Sequence, residues 1–256
     1  KKQYKSRPAY FDISLDGNFK IHNISQEPVL NLGDKGSFDE FGIYPFCPIE
    51  VKDEVYAVYA GWTRSVSVPF DVALGLAKAN RDRTRFERIG VGPVISKSQY
   101  EPFVISRPKI RFFNGRYFLF YIAGSRWIRI EEGKLDIQYT IRMAVSDDLL
   151  SWRKLNRELI KPVRKGLESQ ASPDVFQVGN LYIMMFCHRE VGNFQNKSRG
   201  YELGLAFSKD LLNWKRCDSR LVLELQNSLW DNESQNYPHV FKLPTGQHFL
   251  LYTGNG

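Results

Sequence analysis

The sequence predicts an all-β protein, a β-propeller of four-stranded antiparallel blades. Four prolines, Pro45, Pro108, Pro173 and Pro238, recur at spacings of 63, 65 and 65 residues, and each is followed 13 or 14 residues later by an aromatic: Tyr59, Tyr121, Phe186 and Tyr252. Around each proline two alternating apolar runs flank a short turn, the pattern of a β-hairpin. No segment holds a 3.6-residue period for three turns, so helices are expected to be minor. A four-stranded unit that cannot bury both faces alone stacks radially on its neighbours.

The first hairpin of each unit reads "YPFCPIEVKDEVYAVYAG", "SRPKIRFFNGRYFLFYIAG", "ASPDVFQVGNLYIMMFCHR" and "NYPHVFKLPTGQHFLLYTG". Asn114-Gly115 is the clearest turn, since both residues tolerate the left-handed backbone a two-residue hairpin loop requires. A second strand pair follows in "IRMAVSDDLLSWRKLNRELI" and "LGLAFSKDLLNWKRCDSRLVL", with looser copies in "VALGLAKANRDRTRFERIGVGPVI" and "AYFDISLDGNFKIHNISQEPVL". Their anchors Phe19, Phe86, Trp152 and Trp214 fall 67, 66 and 62 residues apart. The chain is read as one domain over 1–256: a half blade at 1–31, blades at 41–96, 104–161 and 171–224, and a half blade at 236–253. The halves would either join to close a four-bladed ring or belong to a larger one, and the finish at "YTGNG", directly after a strand, favours the larger ring.

With 43% apolar or aromatic residues and no hydrophobic run of bilayer length, a soluble globular protein is expected, with no membrane partner. The formal charge of +8 favours anionic partners, yet the basic residues are dispersed apart from "RDRTRFER" and "KPVRKG". No nucleic-acid motif accompanies them, and no nucleic-acid partner is expected. Cys47, Cys187 and Cys217 are odd in number and lack metal-ligand spacing, so neither a disulfide framework nor a metal site is indicated. With no apolar signal-peptide core in "KKQYKSRPAYFDISL", they point towards a reducing, cytoplasmic setting. There is no Gly-rich phosphate loop and no H-E-x-x-H, and no cofactor is expected.

The segments "SRPKIRFFNGRYFLFY", "ASPDVFQVGNLYIMMF", "AVSDDLLSWRK" and "AFSKDLLNWKR" resemble the five-bladed propeller glycosidase superfamily, which holds glycoside hydrolase families 32, 43, 68 and 130. The similarity covers almost the whole chain and is nearest to a branch without the standard catalytic motif positions. It implies a five-bladed ring, incomplete at both ends of this chain, and a carbohydrate substrate. A calcium or sodium ion in the channel is compatible with such propellers. In families 32 and 43 the catalytic carboxylates sit beside the repeat proline. Here those places read Tyr44-Pro45, Arg107-Pro108, Ala171-Ser172-Pro173 and Asn236-Tyr237-Pro238, so the family mechanism does not transfer directly.

A carboxylate does lie slightly upstream of every proline: Asp39, Glu101, Glu168 and Glu233, the last two within the echoed "ESQASPDVF" and "ESQNYPHVF". Glycoside hydrolysis needs a carboxylic acid to protonate the leaving oxygen and a second carboxylate, about 5 Å away in retaining enzymes and roughly 6.5 to 9.5 Å in inverting ones. Delivered by successive blades to one axial pocket, Asp39 would be the base or nucleophile and Glu168 or Glu233 the acid. A turn-stabilising carboxylate would echo equally well. For substrate binding the candidates are Glu101, Arg107, His188, Arg189 and His239 for polar groups, with Tyr44, Trp62, Trp127 and Tyr237 as faces for sugar rings. The leading expectation is a glycosidase or transglycosidase acting on an oligo- or polysaccharide. Its rivals are a non-catalytic sugar-binding propeller and a glycoside phosphorylase using inorganic phosphate.

Overall fold

The computed structural model describes residues 4–164, 167–192, 200–221 and 230–255. Sixteen strands and one 3-10 turn at Asp218–Arg220 make up its regular structure. Three four-stranded antiparallel sheets follow chain order: β3 (Gly42–Val51), β4 (Glu54–Thr63), β5 (Asp71–Ala79) and β6 (Phe86–Arg88); β7 (Ile105–Phe113), β8 (Arg116–Glu131), β9 (Lys134–Ser146) and β10 (Arg153–Lys154); β11 (Glu168–Val178), β12 (Leu181–Glu190), β13 (Glu202–Ser208) and β14 (Lys215–Arg216). Two hairpins flank them, β1 (Phe11–Ile13) with β2 (Ile21–Ile24), and β15 (Gln235–Lys242) with β16 (His248–Gly254). The expected unit is thus present, all-β and four strands deep. Residues 222–224, expected to end the third full blade, lie outside the described residues.

The four-stranded sheets bury their faces against their neighbours rather than around a central core. One apolar cluster joins the first full blade to the second through Val58, Leu74, Leu76, Ile110, Leu119 and Tyr121. Another joins the second to the third through Phe120, Ile141, Met143, Val175, Met184 and Phe186. Trp214 meets Phe120 edge-on across that second seam, with ring centroids 6.4 Å apart. Phe19, in the loop between β1 and β2, reaches Phe241 and Phe249 of the β15–β16 hairpin at 6.1 and 4.9 Å, so the two half units pack on each other.

Two repeated local devices explain the sequence pattern. In "SDDLLSW" and "SKDLLNW" an aspartate carboxylate, Asp148 or Asp210, accepts bonds from the backbone N–H groups two and three residues on. Leu149 and Leu211 take positive φ of 67° and 63°, and their carbonyls accept the Trp152 and Trp214 indole N–H at 2.8 and 2.9 Å. Such side-chain-closed turns fix the sharp reversal into the short fourth strand. The second device is a glycine under a ring: Gly75 faces Tyr59 across β4–β5, and Gly204 faces Phe186 across β12–β13. A Cβ at either glycine would come within 2.4 Å of the ring.

Candidate functional site

The repeat prolines mark bulges in the innermost strand of every unit. Pairing slips between Ile43 and Phe46, Ser106 and Lys109, Ala171 and Asp174, and Asn236 and His239. A bulge leaves a residue out of the ladder and re-aims its side chain. The residue freed is the one before proline: Arg107, Ser172 and Tyr237 have φ of 54°, 50° and 57°, and the Tyr44–Pro45 peptide is cis. Left-handed backbone at non-glycine residues costs about 1–2 kcal/mol each and clusters where a site is being shaped.

Tyr44, Arg107 and Tyr237 separate two chambers on the propeller axis. The larger, about 430 Å³, is walled by Trp62, Phe70, Trp127, Tyr139 and Tyr201 and holds the Asp136 and Arg189 side chains. The smaller, about 130 Å³, is enclosed by the four prolines with Ser172, Lys109 and His239. The Arg107 guanidinium lies 4.8 Å from the centre of the Tyr44 ring and 3.9 Å from that of Tyr237, and donates to the Tyr44 hydroxyl at 3.1 Å. Arg189 grips Asp136 with two parallel bonds of 2.7 and 2.8 Å.

The upstream carboxylates are elsewhere. Asp39 accepts Arg88 Nε and Nη2 at 2.8 and 2.6 Å and the Tyr59 hydroxyl at 3.1 Å. Glu101 pairs with Lys154 at 2.6 Å and accepts the Tyr121 hydroxyl at 2.9 Å. Glu168 accepts Arg216 Nη1 at 2.6 Å, Gln170 Nε2 at 2.9 Å and the backbone N–H groups of Val163 and Arg164. All three acids are buried, none lines either chamber, and each is held by a base on the fourth strand of its own blade. In the last unit the carboxylate bonded to the second-strand tyrosine is Asp231, at 2.7 Å from Tyr252 Oη, rather than Glu233. Glu233 is half-buried, with its backbone N–H on Asn255 Oδ1.

No family model matches the sequence. The chain is 30% identical over 245 residues to the Mycobacterium tuberculosis protein "Uncharacterized protein Rv1502", covering 96% of this chain and 77% of that one. This chain belongs to the Rv1502 family. Among solved structures its fold is similar to a thermostable family-43 glycoside hydrolase (TM-score 0.67, 15% identity, covering 90% of this chain and 71% of that one). It is also similar to a sucrose-6-phosphate hydrolase from Lactobacillus gasseri (TM-score 0.62, 18% identity, 86% and 43%) and to a Bombyx mori GH32 beta-fructofuranosidase (TM-score 0.61, 15% identity, 87% and 45%). The fold of this Rv1502-family chain is that of the propeller glycoside hydrolases, as the sequence resemblance implied.

Electrostatically, the axial site is cationic. Burial works to raise the Asp136 carboxyl, but Arg189 and the Gly192 and Ile137 N–H groups outweigh it and hold Asp136 below the usual range, ionised. Burial pushes the Tyr201 hydroxyl up to about 12, and Tyr237 and Tyr139 upward as well, so these phenols are neutral. Below the floor, buried Asp174 is shared by Lys109, Arg111 and His239. Desolvation opposes it, but the Lys109 charge, the hydrogen bond to His239 and the Arg111 charge hold the Asp174 carboxyl below its usual range.

Of the residues expected to bind substrate, the Rv1502-family propeller brings Tyr44, Trp62, Arg107, Trp127, Arg189 and Tyr237 to the large chamber. His239 lies in the lower one, and Glu101 inside its blade. His188 points away from its neighbour Arg189, as strand alternation dictates, with Nδ1 accepting from Arg164 Nε and Nε2 3.5 Å from Asp218. Asp136 and Tyr139 went unnoticed in the sequence. They sit on the overlong β8–β9 hairpin, whose 16 and 13 residues against 10 and 9 for β4 and β5 were the available signal. Among the described residues no group of three or more His, Cys, Asp or Glu side chains is placed to hold a metal ion.

Proposed function

We propose that this chain is a carbohydrate-recognising propeller whose axial chamber binds a saccharide without the acid pair of a hydrolase. The observation that carries this reading is the division of labour between the two residue sets. Asp39, Glu101 and Glu168 are consumed inside their blades, while the axis is walled by aromatic rings and polar edges. Aromatic faces pack on the C–H side of a pyranose, and about 430 Å³ is within the range of small-ligand sites.

Hydrolysis is the second reading, favoured by one observation: Asp136 is an ionised carboxylate in the chamber, as a nucleophile or base must be. No second carboxylate lines the chamber among the described residues. Asp136 itself, held low by Arg189, is a poor proton donor. Phosphorolysis meets the same want of an acid.

Glycan-array binding followed by calorimetry, with reducing-sugar release assayed in parallel, tests the proposal. Trp127→Ala should weaken saccharide binding about tenfold or more while the fold is retained, and the wild type should release no reducing sugar. Turnover by the wild type that Asp136→Asn abolishes would install the hydrolase reading instead. A failure of every glycan to bind would end the recognition reading.

A further inference from the structure

We infer that the axial chamber selects an anionic saccharide whose carboxylate or phosphate is taken by Arg107; this rests on the saccharide reading above. Three charged side chains line the chamber among the described residues: Arg107, Asp136 and Arg189. Asp136 and Arg189 neutralise each other through their paired bonds, and both Asp136 oxygens also accept backbone N–H groups, from Ile137 and Gly192 at 2.8 Å. That leaves the charge of Arg107. Its polar contact is the Tyr44 hydroxyl, and no carboxylate of the described residues pairs with it.

A partly enclosed guanidinium without a counter-ion is held against the cost of desolvation, and a ligand anion is the group that relieves it. The planar fork of arginine matches the two oxygens of a carboxylate or phosphate, which a neutral hydroxyl does not. The rings of Tyr44 and Tyr237 immobilise that fork between them, so little side-chain freedom is lost on binding. The field beneath the floor has the same sign, because Lys109 and Arg111 share the one carboxylate of Asp174. The chamber is therefore positive at its Arg107 end while its walls are those of a sugar site.

Calorimetry with methyl β-D-glucuronide, methyl β-D-glucoside and inorganic phosphate, beside an array of uronate-bearing, phosphate-bearing and neutral glycans, separates the cases. Anionic glycans should bind at least about tenfold tighter than neutral counterparts. That preference should shrink between about 50 and 300 mM salt. Arg107→Met should abolish the preference, and Arg107→Lys, which keeps the charge, should restore part of it; thermal melts establish that both variants fold. If neutral and anionic glycans bind alike and Arg107→Met changes neither, the anion inference is overturned and the saccharide reading stands. If only inorganic phosphate binds, in an Arg107-dependent way, the anion site stands and the saccharide reading falls. If no probe binds, both fall.

Discussion

Replacing Glu168 by Gln should damage the blade. The Glu168 side chain is fully buried, and Arg216 is 8% exposed at the other end of a 2.6 Å ion pair. One glutamate oxygen serves Arg216 and Gln170, the other two backbone N–H groups, so a glutamine in either orientation turns its NH2 towards donors. Removing one member of a buried pair costs about 3–5 kcal/mol. Arg216 keeps Asp218, 2.7 Å from its Nε, which argues for the lower end, about 3 kcal/mol. With an unfolding entropy of about 2.1 cal/mol/K per residue, a chain of 256 residues should lose about 6 °C in Tm. Near-UV circular dichroism melts read this directly. The Glu168→Gln/Arg216→Met double variant should lose clearly less than the sum of the single changes, because the stranded charge has gone. A Glu168→Gln protein that melts within a degree of wild type and yet loses a catalytic activity would refute the scaffold assignment.

Gly204→Ala should destabilise by about 1–3 kcal/mol, because the new Cβ would sit 2.4 Å from a Phe186 ring that is wholly buried. Phe186→Leu in the same chain should recover part of that loss, and equal melting of the single and double variants would contradict the close approach. Stability should also decline in acid. Asp136, Glu168, Asp174 and Asp218 all have folded pKa values below their unfolded ones, so their contribution is complete above about pH 5. It should be lost as pH falls through the folded values, and a Tm unchanged from pH 7 to about pH 3 would count against these pairings.

The repeat itself was legible because its signals are local. Proline, turn glycine and the S-x-D-L-x-x-W turn each act within a few residues, and each appears where the spacing put it. The role of the upstream carboxylates was not, because their partners lie 48 to 53 residues away in sequence. A usable signal was nonetheless present. Arg88, Lys154 and Arg216 each stand two residues after an aromatic anchor, in phase with the acids they hold, and two periodic charges of opposite sign suggest a structural pair. In the last unit the tyrosine-bonded acid is Asp231, two residues before the echoed Glu233, so the ESQ echo and the buried acid do not coincide there. The importance of the residues beside the prolines was legible in part: Tyr44, Arg107 and Tyr237 do line the axial chamber.

The proline bulge insulates evolution at the axis from evolution of the fold. A residue lifted out of the ladder contributes little to strand pairing, and the buried residues of the seams between blades are other side chains, with Tyr237 packed against the edge of one. What limits its identity is the left-handed backbone, which asparagine and aspartate tolerate better than arginine or tyrosine. Aspartate is thus a side chain the backbone accepts more easily, and Arg107 and Tyr237 occupy their places in spite of it. A single codon at such a position can exchange one ligand preference for another while the melting temperature stays nearly fixed.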